Sequence, residues 1–553
     1  MIAQDFELLE STRCDVCIIG SGPVGSALAV ELIRRGLSVI VLESGLAKPN
    51  TKIQSLSDAF ITSPHAHHRM DLAVSRALGG TSRLWGGRCV FLNEIDFLQR
   101  EYVPDSGWPV SFNDVIRYLP RAAELLGCND GCFEDPNADL GSDPDIDAAH
   151  LERWVNEVHT LPCLRELETS DRLKVLLNAT ATGLELEPGG QVVKSVRVAR
   201  EGRNTIFGGA TFYVLAQGGI ETARFLLNVQ TEHPLLFGGT NSKLGRNYMG
   251  HFGGSIARIH FFNPGTARLF HNLHGVKSFA RRRLSLSTER QKTHHLPNIC
   301  FWPGNAIYSD PQHGSGILSA ISLALGHPRI ARRLLSEAVR QNNPAGSADI
   351  WPHLTNIARD PHGLIIGGAE ILRQWLWYAR DIPRLFVTNQ AGRYPLRFHA
   401  EQFPSANNGI RLSNEQDWLG VHRAIIDFEF SVGQMANIIE AHRILDRGLR
   451  RLNIGELTYN TQERQLDAAE QLQYVVADGL HQIGLTRMAK TASAGVVDPN
   501  CRIFDFHNLF IAGSSIFPSA GEASPTLPAV AFAVRLSEHI AELKRAKKYT
   551  RKY

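Results

Sequence analysis

The stretch Cys14-Asp15-Val16-Cys17-Ile18-Ile19-Gly20-Ser21-Gly22-Pro23-Val24-Gly25 constrains this chain more than any other part of it. An apolar strand-like run ends in GxGxxG, helix-spaced apolar residues follow as far as Gly36, and a second strand-like run, SVIVL, ends at Glu43. Strand, tight turn, helix and strand make a βαβ unit with a ready-made anion site at the helix N-terminus. Gly20 permits the turn, Gly22 lets a pyrophosphate approach the backbone, Gly25 allows close helix packing, and Glu43 can accept ribose hydroxyl hydrogen bonds. This predicts a dinucleotide site without separating FAD from NAD.

At 553 residues, 43% of them hydrophobic, the chain can bury a core large enough for two or more domains. The formal charge of +3 is too small to imply a polyanionic partner such as nucleic acid. The N-terminus has no basic flank followed by an apolar run, so no secretory signal is read and cytoplasmic residence is the expectation. No run approaches the roughly 18 apolar residues of a spanning helix. Peripheral membrane contact through Arg332, Arg333 and Arg340, with Trp375 and Trp377, is less economical than buried aromatics with snorkelling arginines. The basic tail of Lys544, Arg545, Lys547, Lys548, Arg551 and Lys552 reads as a solvated end.

The 8 cysteines are irregularly spaced, which argues for free thiols. Cys14 and Cys17 form a CxxC, but residues three apart on a strand point to opposite faces, so a structural reading is preferred to a metal or redox pair. The cluster His65, His67 and His68 lacks a carboxylate or thiol at ligand spacing and is read as polar loop, with no metal site expected.

Further along, RALGGTSRLWGGRCVFL is a glycine-rich loop suited to close approach of a ligand. From Leu173 the text alternates, turns at Pro188-Gly189-Gly190 and again at EGRN, and predicts a three-stranded antiparallel meander feeding the strand TFYVL. Residues 317 to 395 have helical spacing broken by Pro328, Pro344, Pro352, Pro361 and Pro383, which predicts a helical insertion. NLFIAG reads as a strand and PTLPAVAFAVRLSEHIAELKR as a long helix with an apolar face.

Four separated segments resemble the glucose/methanol/choline (GMC) family of FAD-dependent oxidoreductases: the GxGxxG turn, Gly79-Gly80-Thr81-Ser82 through Trp85-Gly86-Gly87-Arg88, Leu215-Ala216-Gln217-Gly218-Gly219-Ile220-Glu221-Thr222, and the block from His481 to Leu527. The resemblance implies an α/β plus α+β fold, with a Rossmann-like FAD-binding domain (1–100, 168–255 and 478–553) and a discontinuous substrate domain (101–167 and 256–477), an antiparallel sheet covered by helices. It implies FAD as cofactor, with Gly79, Gly80 and Thr81 by the pyrophosphate, Trp85, Gly86 and Gly87 near the flavin ring, and Ala181 near the adenine. Ala216, Gly513, Ser514, Pro525 and Thr526 complete the cofactor set. Leu84 stands where some relatives carry a flavin-linking histidine, so noncovalent FAD is expected.

The resemblance also makes His481 the general base that takes a hydroxyl proton while hydride leaves an alcohol carbon for flavin N5. Neutral imidazole is suited to this near pH 7, because an unperturbed ring has a pKa of about 6.5. Ser524 takes the position of the family's second catalytic residue, usually Asn or His; a shorter hydroxyl there would need help from water or Glu522. His251 is either near the cofactor or structural at a strand start. A small-molecule alcohol, preferably a sugar, glycoside or polyol, is the expected substrate, and the electron acceptor (oxygen, a quinone or a redox protein) leaves no motif. The competing readings are a flavoenzyme of the same fold with another net reaction, such as an isomerase or lyase, and a non-catalytic FAD-binding partner protein.

Overall fold

The computed structural model describes residues 2–128, 132–135, 140–157, 161–167, 170–271, 280–306, 308–325, 350–377, 386–389, 391–459 and 466–550. Its first layer grows from the βαβ unit. Strand Cys14–Ile19 leads through Gly22 into helix Pro23–Arg34, with Pro23 in the first turn, where a missing N–H costs nothing. Gly36, at φ +85°, ends the helix before strand Val39–Leu42. These strands join a six-stranded parallel sheet ordered Ile2–Ala3, Leu173–Leu176, Val39–Leu42, Cys14–Ile19, Ala210–Leu215, Leu509–Ile511. Both sheet faces are covered, so its central strands are apolar throughout instead of alternating. The C-terminal helix Thr526–Thr550 packs against Pro23–Arg34, and Lys544 pairs with Asp15 at 2.5 Å, which ties down the first cation of the basic tail. Arg551 and Lys552 lie outside the described residues.

The expected meander forms from Thr180–Leu186, Val193–Arg200 and Arg203–Phe207. The alternating text before it splits, however: Leu173–Leu176 joins the parallel sheet, and the chain breaks at Asn178, which takes a left-handed φ of +55°.

A second, antiparallel sheet runs Gly455–Tyr459, His251–Phe261, Arg393–Glu401, Ile299–Pro303, Leu284–Leu286, Ile146–Asp147. Strand His251–Phe261 lies wholly in this sheet, so the expected domain boundary at 255/256 cuts through a strand. One face is apolar and packs on helix Val432–Arg451, capped by the Ser431 side chain accepting from the Gln434 N–H. Met435, Ile438, Ile439, Leu445 and Leu449 recur at helical spacing and are buried there, each contributing about 1.5–3 kcal/mol by burial. The other face carries polar residues, His251 and His399 among them.

In the helical insertion, Gly316–Leu325, Trp351–Arg359 and Pro361–Trp377 are helices. Pro352 and Pro361 occupy first turns and start helices where the sequence suggested interruption. Pro328, Pro344 and Pro383, together with Arg332, Arg333 and Arg340, lie outside the described residues, as do the side chains of Trp375 and Trp377. None of the eight cysteines is in a disulfide. Cys14 is half-buried and Cys17 fully buried; burial pushes the Cys14 thiol up to about 12, consistent with a structural pair. Among the described residues no helix is long and apolar enough to cross a membrane.

Candidate active site

The cofactor end is built around the turn at Gly20. A Cβ on Gly20 would lie 2.4 Å from the Ala216 carbonyl oxygen, and one on Gly25 2.2 Å from the Gly20 oxygen, so both glycines are dictated by close backbone packing. A Cβ on Gly22 would meet nothing within 4 Å: its outer side is open, at a helix N-terminus. The glycine-rich loop folds onto this opening. Gly80, at φ +58°, has its Cβ position 2.9 Å from the Gly22 Cα, and the Gly79 N–H donates to Ser21 Oγ at 3.2 Å. Thr81 Oγ1 accepts from the Ser75 N–H at 3.4 Å. Beyond the loop's short helical turn, Trp85 is half-buried and Gly86 exposed with an open Cβ position, whereas Gly87 is buried.

Glu43 is buried and does more than the motif implies. Its carboxylate accepts from the Ser21 N–H (2.9 Å) and Oγ (2.6 Å) and from the Gly45 N–H (2.7 Å), bracing the turn. Of roughly four lone-pair positions on a carboxylate, one remains for a ribose hydroxyl. Ala181 lies on the strand beside it, next to Thr180, whose Oγ1 is 2.8 Å from Ser44 Oγ. From the opposite side come the buried Gly513, whose Cβ position is open, and Ser514, whose hydroxyl donates to the Gln482 carbonyl at 2.8 Å. Pro525 and Thr526 open the C-terminal helix. The buried Oε1 of Gln217, directly after Ala216, has no partner among the described residues. An open helix N-terminus, unfilled glycine positions and an orphaned buried acceptor fit a dinucleotide.

The reactive end gathers three histidines from distant parts of the chain. His481 is partly exposed, at 19% of its side chain, and its Nδ1 lies 3.0 Å from Nδ1 of His251 and 3.3 Å from Oδ2 of Asp478. His251, buried at the start of its strand, stands perpendicular to His481 with ring centroids 4.7 Å apart. It stacks on His399 at 4.2 Å. One ring nitrogen from each of the three lies within 4.8 Å of those of the other two. Burial, then the neighbouring rings, pushes His251 and His399 well below the ordinary imidazole value, so both are neutral near pH 7.

Asp478 organises this cluster. It accepts from the backbone N–H groups of His251 (2.7 Å), Leu480 (3.0 Å) and His481 (3.2 Å). Burial alone would raise its carboxyl, but His481, His251 and these donors outweigh it and hold the group well below the usual range. A proton on His481 Nδ1 therefore has two acceptors, which leaves Nε2 as the basic nitrogen.

Ser524 is half-buried and makes no hydrogen bond among the described residues. The loop before it abuts His399, whose Nδ1 is 2.8 Å from the Glu522 carbonyl oxygen. Glu522 itself is not free to assist a substrate: its buried carboxylate pairs with Arg283, which also contacts Cys300 Sγ through Nε at 2.9 Å. The expectation that Glu522 helps place substrate is thus corrected. His67 is also a core residue, with Nε2 3.0 Å from the Tyr248 hydroxyl and Nδ1 2.7 Å from the His68 carbonyl, its ring against Gly479. His399, Asp478 and Arg283 carry no recognisable motif in the sequence. The only signal was alternation in RYPLRFHAE, which puts Arg397 and His399 on the face opposite Tyr394, Leu396, Phe398 and Ala400.

Residues 404–533 match the family model described as GMC oxidoreductase, and residues 13–53 match an FAD binding domain. These matches support a flavoenzyme of the GMC oxidoreductase kind. FAD is the cofactor of this protein, and the residues from Gly20 to Glu43 and from Gly79 to Gly87 are those that would hold it. Among curated relatives it is similar to C-glycoside 3-oxidase of Arthrobacter globiformis, 42% identical over 64 residues, 11% of this chain and 12% of the relative. It is also similar to 6'''-hydroxyparomomycin C oxidase of Streptomyces lividus, 29% identical over 147 residues, 25% of this chain and 27% of the relative. The chain thus spans about a quarter or less of the length of these relatives in the matched regions. The fold is that of a fungal aryl-alcohol oxidase (TM-score 0.54, 12% identity, 96% of this chain and 99% of that one). Pyridoxine 4-oxidase from Mesorbium loti gives a TM-score of 0.50 at 16% identity, over 95% and 99% of the two chains.

Proposed function

We propose that this protein is an FAD-dependent oxidoreductase of the GMC family that removes hydride from an alcohol CH–OH group, with His481 as general base. The observation that carries the proposal is the setting of His481: partly exposed, with Nδ1 beside Asp478 and His251, and Nε2 without a hydrogen bond among the described residues. When bound, FAD supplies the hydride acceptor. His481 Nε2 takes the hydroxyl proton, which gives the substrate oxygen alkoxide character and weakens the neighbouring C–H bond; a positioned base typically contributes about 10²- to 10⁴-fold. His399, neutral and beside His481, is a second polar group for the substrate oxygen and offers what the short Ser524 hydroxyl lacks in reach. A sugar, glycoside or polyol is the preferred substrate class, a preference supported by the name of the C-glycoside 3-oxidase relative. In this reading residues 1–100, 168–250 and 478–553 hold the cofactor, and the antiparallel sheet from His251 onward with its helical insertion faces the substrate. Leu84, 47% exposed, offers no nucleophile for a covalent flavin link.

The test is anaerobic mixing of the FAD-loaded protein with a panel of sugars, glycosides and polyols. Bleaching of the flavin with one carbonyl product formed per flavin is expected for at least one of them. Conversion of substrate without bleaching would replace oxidation by an isomerase or lyase reaction.

A further inference from the structure

The wall of the site beside the histidines carries more positive than negative charge. Trp302, on strand Ile299–Pro303, has two guanidinium groups over its ring, Arg281 at 4.2 Å from the centroid and Arg283 at 5.8 Å, and a third arginine, Arg397, is its cross-strand partner. Two of these cations have buried carboxylates. Arg281 pairs with Glu152, which also faces Arg88 at 3.6 Å, and Arg283 pairs with Glu522. Arg397 has neither an ion pair nor a hydrogen bond among the described residues, although it is half-buried and burial depresses its pKa. A partly buried cation without a counter-charge is costly, and an anionic ligand would supply the charge that is missing.

Strand alternation puts Arg397 on the same face as His399, two residues along, and the cross-strand partners of the pair are Trp302 and Cys300. His399 in turn lies edge-on to His481, with ring centroids 5.5 Å apart. One strand therefore presents, in sequence, an unmatched guanidinium and an imidazole next to the candidate base. Residues two apart on a strand are about 6.5 Å apart at Cα, and the Arg397 side chain runs on toward Gly304, so its guanidinium lies farther than this from His399.

We propose that Arg397, cross-strand from Trp302, forms a subsite for an anionic group, a carboxylate or phosphate carried by the alcohol substrate on the side away from the oxidised carbon. This deepens the alcohol-oxidation reading and rests on it for the position of the reacting carbon. Arginine suits the role because its planar fork meets either oxyanion with two parallel hydrogen bonds.

The experiment uses ligands that cannot be oxidised, so its outcome does not depend on hydride removal. The FAD-loaded protein is titrated by calorimetry with tetrahydropyran-2-carboxylate, the isosteric neutral tetrahydropyran-2-carboxamide, and methyl phosphate. A charge-assisted hydrogen bond predicts that the carboxylate binds about 10- to 100-fold more tightly than the amide. In R397M that preference disappears, in R397K part of it remains, and in the remote surface variant R447M it is unchanged. Methyl phosphate binding more tightly than the carboxylate, and losing affinity in R397M, supports the same subsite with a phosphate ester as its occupant. The absence of any preference for the anions in the parent protein, or its survival in R397M that still carries FAD, overturns the proposal. If the anion preference is found but no alcohol bleaches the flavin, the reaction assigned to the site fails and the subsite stands.

Discussion

Replacing Asp478 with Asn changes one charge and little volume, so its effect can be worked from the contacts. The carboxylate faces four nitrogens, the backbone N–H groups of His251, Leu480 and His481 and the His481 Nδ1, at 2.7 to 3.3 Å. An amide keeps one acceptor oxygen and substitutes an NH₂ for the other, so in either orientation a donor is set against donors. With the amide nitrogen toward His481, the ring is driven to accept at Nδ1 and carry its proton on Nε2, the nitrogen that must be basic. The expected loss is therefore most of what a positioned base supplies, about 10²- to 10⁴-fold in the rate of anaerobic flavin reduction. Because one buried hydrogen-bonding group is left unsatisfied, stability should fall by about 1–3 kcal/mol. The pH dependence has a definite sign. The parent carboxyl sits below its unfolded value, so its stabilising contribution is present above the ordinary carboxylate range and is lost as pH falls through that range toward the folded value. D478N should show less of this acid-side loss. Stopped-flow reduction of D478N still carrying FAD is the assay. A rate equal to the parent's, with an unchanged pH profile, would refute the role given to Asp478.

Other consequences are equally direct. Arg100 and Glu401, with side chains 1% and 0% exposed, form a two-pronged pair at 2.7 and 2.6 Å, so R100M should cost about 3–5 kcal/mol by stranding the carboxylate; in a thermal unfolding comparison, E401Q added to R100M should recover part of the loss. G25V pushes a side chain into the Gly20 carbonyl and should yield protein without FAD, whereas G22A, whose Cβ meets nothing, should fold normally yet bind FAD more weakly, as absorbance and circular dichroism would record. Burial, then the Glu401 charge, pushes Asp96 up to about 7, so the folded state holds a proton the unfolded state releases and stability is lost as pH rises from about 4 toward 7. D96N should flatten that decline in denaturant midpoints measured across the range.

What was legible in the sequence was local. The βαβ unit could be read because Gly20, Gly22, Gly25 and Glu43 act within one turn and two adjacent strands, and the meander because its turns carry Gly189 and Gly190 at positive φ. The histidine cluster could not. His251 and His399 meet because strands 251–261 and 393–401 pair in one register, and His481 joins them through the bridge between Met249 and Ile483, contacts no periodicity encodes. Glu522 was misjudged for the same reason, since its partner Arg283 lies 239 residues away. Pro352 and Pro361 looked like breaks because proline inside a helix and proline at its first turn are distinguished only by where the helix begins.

Whether His481 is the base for hydride removal from an alcohol is decided by the anaerobic rate of flavin reduction in His481→Ala beside the parent, both loaded with FAD and mixed with an alcohol that bleaches the parent. A reduction rate lower by about 10²- to 10⁴-fold is predicted, with FAD retained. Equal rates in the two proteins would contradict the assignment.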